Sequence, residues 1–223
     1  MTMSHLKKYL SYICDFPLEK KESRFSGQVI VSYHKGQYKL STEKAIYSFG
    51  ENYTSLAMAF KSVDILNRNI NSVLVLGFGL GSVVDLLDKH PDINSITAVD
   101  ADEVIMELAK KYLPADLGIK VDYVVADAAH YILQHKSFDL VVFDVFIEDE
   151  TPMQFLSETF LKELKNTVLP GGMLLYSKIE SSYANKIENA GFERIFSLVY
   201  PGSFSIDTDG NRVYAWINNS ISA

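Results

Sequence analysis

The chain has 223 residues, 48% hydrophobic and 22% charged, with 21 Lys and Arg against 28 Asp and Glu and a net charge of −7. That is globular composition with length for one domain plus an extension, and an acidic chain lacks the basic footprint of a nucleic-acid binder. Cys14 is the only cysteine, which excludes an intrachain disulfide and a cysteine-based metal cluster, and no secretory pattern or apolar run of about 18 residues is present, so a cytoplasmic protein without membrane or nucleic-acid partners is expected.

Residues 1–25 are polar with scattered apolar positions, and one short helix is expected over Leu6–Ile13. From Gln28 the pattern alternates. Val29, Val31 and Tyr33 share a face, Lys35-Gly36 marks a turn, Tyr38 and Leu40 resume, and Ala45, Tyr47 and Phe49 form a third run. This reads as an antiparallel meander, the body of an N-terminal segment over 1–52. Tyr53–Asn67 has helical period, with Leu56, Phe60 and Val63 in phase, and opens a second region over 53–223. There the grammar is strand, helix, strand. Buried strands are expected at Ser72–Leu76, Ser95–Val99, Val121–Val125, Leu140–Val145 and Met173–Tyr176. Helices are expected at Val83–His90, Glu103–Leu113, Ala129–Gln134, Gln154–Val168 and Ser182–Ala190, the last ending on Gly191 as a left-handed cap. Arg194–Val199 and Arg212–Ile217 read as two further strands. The fold class is α/β, a Rossmann-like doubly wound seven-stranded sheet carrying a small N-terminal antiparallel β extension.

Ligands in such sheets bind at the carboxyl ends of the strands. Gly77-Phe78-Gly79-Leu80-Gly81 follows a buried strand and opens a helix, as a loop that lets a ligand approach the backbone closely would. Asp100 ends the next strand, 23 residues after Gly77, where a carboxylate can accept from two ribose hydroxyls. Ser82 breaks the G-x-G-x-x-G pattern of dinucleotide sites, so S-adenosylmethionine (SAM) is favoured over a nicotinamide cofactor. Asp127 can accept from an adenine amino group, or serve only as a helix N-cap before Ala128 and Ala129.

The segments VLVLGFGLGSVVDLL, ITAVDADEVIMELAKKYL, VVADAAHYI, FDLVVFDVF and LPGGMLL resemble the successive motifs of class I SAM-dependent methyltransferases, and more closely the spermidine synthase branch of that fold. The resemblance runs from about Gln28 to Ile179 and takes in the meander, which is similar to the β extension and gate region of polyamine synthases. It implies a cofactor site at Gly77, Gly79, Leu80, Gly81, Asp100, Ala101, Asp127, Ala128 and Gln28. It implies a substrate site at Tyr53, Asp144 and Glu148, with Asp144 matching the aspartate that takes a proton from the attacking amine. Two departures stand out. Leu80 occupies the place of the aspartate that binds the ammonium of decarboxylated SAM, and Ile147 the place of the second aspartate of the D-x-x-D-P motif, with Glu148 in place of its proline. Leu80 removes a charge that would repel the carboxylate of intact SAM. The expectation is therefore a SAM-dependent methyltransferase acting on an unidentified small molecule. The alternatives are an aminopropyltransferase using decarboxylated SAM, or a SAM-binding protein without catalysis.

Asp144 is the candidate catalytic base for an amine or hydroxyl acceptor. Glu148-Asp149-Glu150 could steer a cationic amine toward it, or be a solvated loop. The five histidines form no H-x-x-x-H pair, and neither a G-x-S-x-G elbow nor a G-K-[ST] phosphate loop occurs. The likeness to polyamine synthases also implies a homodimer through the N-terminal strands.

Overall fold

The computed structural model describes residues 10–43, 45–114, 117–134 and 136–220. Most of the helix expected over Leu6–Ile13, together with His5 and His135, lies outside the described residues.

The N-terminal sheet has four antiparallel strands in the order β1 (Phe16–Ser23), β2 (Gly27–His34), β3 (Gln37–Ser41) and β4 (Ile46–Ser48). Val29, Val31 and Leu40 bury the face that alternation assigns to them. The first strand is an addition to the expected meander. Its sequence, FPLEKKES, has no apolar alternation, and it is held by pairing with β2 from Phe16↔Tyr33 to Ser23↔Gly27.

The second sheet has seven strands in the order β10-β11-β9-β8-β5-β6-β7. These are β5 (Ser72–Leu76), β6 (Ser95–Asp100), β7 (Lys120–Val125), β8 (Phe138–Phe143), β9 (Val168–Ile179), β10 (Phe204–Asp207) and β11 (Asn211–Ile217). The run from β9 to β7 is parallel, and β11 and β10 add antiparallel. The helices are α1 (Thr54–Ser62), α2 (Ser82–Leu87), α3 (Glu103–Tyr112), α4 (Ala128–Ile132), α5 (Glu158–Lys165) and α6 (Tyr183–Val199). This is the expected doubly wound α/β architecture with its antiparallel extension.

The pleat sorts the core into two layers. Val73 and Val75 face α1, α2 and α3 through Leu56, Phe60, Val84, Leu87 and Met106. Leu74 and Leu76 face α4, α5 and α6 through Ile132, Phe160, Leu164 and Phe196. A third cluster joins the two sheets. Val29, Val31 and Leu40 pack on Leu80, Ile105 and Leu108, so the extension is seated over the start of α3 and the loop after β5. Ion pairs rim this seam, Lys111 to Glu19 at 2.6 Å and Lys21 to Glu107 at 2.6 Å.

Three expected elements differ. Residues 53–67 form α1 and then a separate 3-10 turn at Ile65–Asn67, because Asp64 adopts a left-handed conformation, φ 53°. Residues 154–168 split into a 3-10 turn, Met153–Leu156, and α5, because Ser157 is extended and caps Phe160 N–H. The helix after Ser182 runs through Gly191 to Val199, absorbing the strand expected at Arg194–Val199. Phe192, Phe196 and Val199 bury one helical stripe against β9 and β11, and that packing outweighs the β-branched and aromatic character of the segment. The seventh strand is instead Phe204–Asp207, paired with β11.

Candidate active site

Four strands deliver their carboxyl ends to one cleft. Gly77 and Gly79 follow β5, Asp100 ends β6, Asp127 follows β7 and Asp144 follows β8. With Ala101 and Ala128 they line a single cavity, walled by Val99, Ile105, Ala126 and Phe155. The glycines are required by geometry. All three have positive φ, 84° at Gly77, 56° at Gly79 and 93° at Gly81. A Cβ on Gly77 would stand 2.3 Å from the carbonyl oxygen of Asp144, and one on Gly79 would stand 2.8 Å from that of Tyr47. The loop is thus pressed between the catalytic candidate on one side and the N-terminal sheet on the other.

Asp100 ties this loop down. Its Oδ2 accepts from Phe78 N–H at 3.1 Å and its Oδ1 from Asp102 N–H at 3.0 Å. Burial raises its pKa to about 6 against these bonds, which favour the charge. Asp127 caps α4, accepting from Ala129 N–H at 2.8 Å, and its Oδ2 accepts from Gln154 Nε2 at 3.0 Å. Both of its expected roles remain open to one side chain, since the cap uses Oδ1 while Gln154 holds Oδ2 toward the cavity rim.

Asp144 stands between two cavities. Its Oδ1 is buried without a hydrogen-bond partner among the described residues. An acceptor atom in that state costs free energy unless a ligand supplies a donor. Burial lifts its pKa to about 6, while the hydroxyls of Ser177 and Tyr53 favour its charge. Ser177 on β9 is itself oriented, because its Oγ accepts from Asn211 Nδ2 at 2.9 Å. Burial and the neighbouring Asp144 hold the Tyr53 hydroxyl well above the ordinary phenol range, so it remains a proton donor.

The adjoining cavity is lined by Tyr53, Ser55, Phe146, Glu148, Asp149, Asp209 and Asn211. Tyr47 and Phe146 line both cavities and form the wall between them. The Tyr47 hydroxyl lies 2.8 Å from Ser26 Oγ and accepts from Glu148 N–H at 2.7 Å, which pins the loop after β8 to the N-terminal sheet. A second clasp closes the opposite edge. Ser23 Oγ bonds the N-cap carboxylate Asp102 while accepting from the N–H groups of Phe25 and Ser26, so the β1–β2 turn lies across the first cavity.

Asp144, Asp100, Ala101, Asp127, Ala128, Gly77 and Gly79 therefore meet at one cleft, with Tyr53 and Glu148 in the neighbouring one. Three residues expected at the cofactor stand elsewhere. Gln28 is exposed on β2, opposite Glu22, because alternation turns it away when Val29 turns in. Leu80 is buried in the cluster that joins the two sheets. Gly81 packs under Leu113 and Phe78, where a Cβ would stand 2.8 Å from Leu113 Cδ1. Tyr47, Ser23, Phe25, Ser26, Gln154, Ser177 and Asp209 were not anticipated. Of these, the alternating run through Ala45, Tyr47 and Phe49 signalled only that Tyr47 lies on a strand.

Charge distinguishes this cleft. Asp100, Asp102, Asp127 and Asp144 line the first cavity and Glu148, Asp149 and Asp209 the second, with no Lys, Arg or His among the described lining residues.

A family model of the spermine/spermidine synthase domain matches residues 52–198. The chain is 26% identical over 155 residues to the spermine synthase of Saccharomyces cerevisiae, an alignment covering 65% of this chain and 50% of that protein. It is 26% identical over 167 residues to the polyamine aminopropyltransferase of a Thermoanaerobacter species, covering 66% of this chain and 60% of the relative. The chain thus spans between half and three fifths of the length of these relatives. Its fold matches the spermidine synthase of Thermotoga maritima with a TM-score of 0.70 at 17% identity, over 93% of this chain and 74% of that one.

These findings overturn the methyltransferase expectation. The inference rested on Leu80 emptying a charged position beside the cofactor, but Leu80 belongs to the inter-sheet core, and the relatives are aminopropyltransferases. The acidic cleft at the carboxyl ends of the parallel strands is that of a transferase fold, and the chain belongs to the spermine/spermidine synthase family.

Proposed function

We propose that the protein transfers a 3-aminopropyl group from decarboxylated SAM to a diamine or polyamine. The observation that carries this reading is the all-acidic lining of the two cavities with an unpartnered Asp144 oxygen between them. The residues present fit an adenosyl donor without a carboxylate. Apolar walls at Val99, Ile105, Ala126 and Phe155 suit a purine and ribose, with Asp100 and Asp127 as hydrogen-bond acceptors. Decarboxylated SAM, when bound, supplies a three-carbon chain activated by a sulfonium. Intact SAM would bring its carboxylate among these acids with no cation in the lining to receive it.

The protein's own task is positioning and proton transfer. An amine acceptor is protonated at neutral pH and must lose a proton before its nitrogen can attack. Asp144 Oδ1 accepts a hydrogen bond from that nitrogen and then its proton. A pKa near 6 leaves the carboxylate ionised at pH 7 yet more basic than an ordinary aspartate. Tyr53 and Ser177 hold the carboxylate in register. Glu148, Asp149 and Asp209 receive the acceptor's distal ammonium in the second cavity. These acids take over the role that a charge at position 80 or 147 would have had.

Calorimetric titration with decarboxylated SAM and, separately, intact SAM tests this. The reading expects tighter binding of the decarboxylated form. Equal or tighter binding of intact SAM would count against it.

A further inference from the structure

The helix α6 buries one face on the sheet and leaves an apolar stripe on the other. Asn189, Phe192, Phe196 and Val199 point inward. Outward lie Tyr183, Ile187 and Leu198, which are 79%, 60% and 80% exposed, and Ile195, which is 38% exposed. Ala184, Ile187, Gly191, Ile195 and Leu198 follow one another at spacings of 3, 4, 4 and 3 residues, a single stripe along the helix. The stripe is a palindrome about Gly191. Its members sit at offsets −7, −4, 0, +4 and +7.

We propose that this face is a self-association surface on which a second copy of the chain docks α6 against α6, antiparallel, with the two-fold axis at Gly191. A two-fold contact must be self-complementary, and this one is. Ile187 meets the partner's Ile195, and Ala184 meets the partner's Leu198, a small residue facing a large one. The flanking charges obey the same symmetry. Glu188 at −3 is brought to the partner's Arg194 at +3. Within the chain Glu188 gives Oε1 to Lys178 at 2.6 Å, leaving Oε2 available, and Arg194 has no ion pair among the described residues.

Gly191 supplies a second, independent argument. It lies inside a continuous helix, where glycine is the least favourable residue other than proline. A Cβ there would touch nothing within 4 Å, and the residue has no positive φ, so neither crowding nor conformation within the chain requires glycine. A close crossing of two helices at that point does. The N-terminal edge strand, by contrast, carries the features that discourage pairing. It has Pro17, an irregularity between Pro17 and Glu19, and the charged run Glu19-Lys20-Lys21-Glu22.

The test is the solution mass of the full chain by light scattering and sedimentation over a wide concentration range. We expect a dimer, converted to monomer by Ile187→Glu and by Gly191→Trp with unchanged circular dichroism. A disulfide test probes the proposed axis directly. Gly191→Cys in a Cys14→Ser background, which removes the one exposed thiol, is expected to oxidise to a covalent dimer. A wild-type chain that stays monomeric throughout would overturn the proposal, as would a dimer that survives both surface variants and shows no covalent link in the Gly191→Cys variant after oxidation.

Discussion

Asp144 joins two properties that seldom coexist in a resting side chain, burial and an unmet acceptor. Both point to a proton-accepting role, and both have measurable consequences. Asp144→Asn removes the charge but keeps the shape. We expect kcat for aminopropyl transfer to fall by about 10²–10⁴-fold, the usual contribution of a general base, with donor binding retained. Transfer in the wild type should decline below about pH 6, as Asp144 takes up a proton. Asp100 titrates in the same range, so the acid limb should appear in the donor KM as well as in kcat. A profile that stays flat to pH 5 would remove Asp144 from the proton path. The same carboxylates bear on stability. Their folded pKa values lie above the unfolded ones, so the folded state binds these protons more firmly. Their contribution therefore becomes more favourable as pH falls from about 7 toward 4. Asp144→Asn should accordingly be more stable than wild type at pH 7, by about 1 kcal/mol after solvent screening, or about 2–4 °C in Tm. Gly77→Ala is the steric counterpart. Its Cβ would drive into the Asp144 backbone, so we expect a loss of kcat larger than any change in acceptor KM, read by steady-state kinetics.

Among the elements, the N-terminal sheet acts as a cover held by two clasps. Ser23 on Asp102 anchors the β1–β2 turn, and Tyr47 anchors the loop after β8. Asp102→Ala loses this clasp and the N-cap bonds to Val104 and Ile105 N–H together. We expect about 1–2 kcal/mol of destabilisation in thermal melts, with a raised donor KM. Tyr47→Phe keeps the ring but frees the loop, and should raise the acceptor KM more than the donor KM. Elements of this kind were unevenly legible in the sequence. The five parallel strands could be read from unbroken apolar runs such as Ser72–Leu76, because a strand buried on both faces has no other grammar. The edge strand Phe16–Ser23 could not, since its residues are charged and only its partner makes it a strand. The end of α6 was concealed for the opposite reason. Gly191 reads as a stop, and the burial of Phe192 and Phe196 that carries the helix past it is tertiary.

For the whole molecule, the informative quantity is the sign of the field in the cleft. Carboxylates converge there from well-separated stretches of chain, between Asp100 and Asp209. The motifs placed Asp100, Asp127, Asp144 and Glu148 at the site. No spacing rule placed Asp209, which arrives with the β10–β11 turn, or showed that Leu80 faces a core. That single side chain steered the reading of the sequence toward methyl transfer, because a one-dimensional motif assigns a position and not a direction. A cleft of one sign attracts a cationic acceptor by long-range steering. The kcat/KM for a dicationic amine should therefore fall as ionic strength rises toward 0.15 M, where the screening length shortens to about 8 Å, while kcat changes little. The central claim is the transfer itself. Purified protein incubated with decarboxylated SAM and putrescine, followed by mass spectrometry of both products, tests it most directly. The account predicts an aminopropylated amine and methylthioadenosine in equal amounts, with neither formed by Asp144→Asn at a comparable rate. A methylated amine from intact SAM, with no aminopropyl product from the decarboxylated donor across a range of diamines and polyamines, would contradict it.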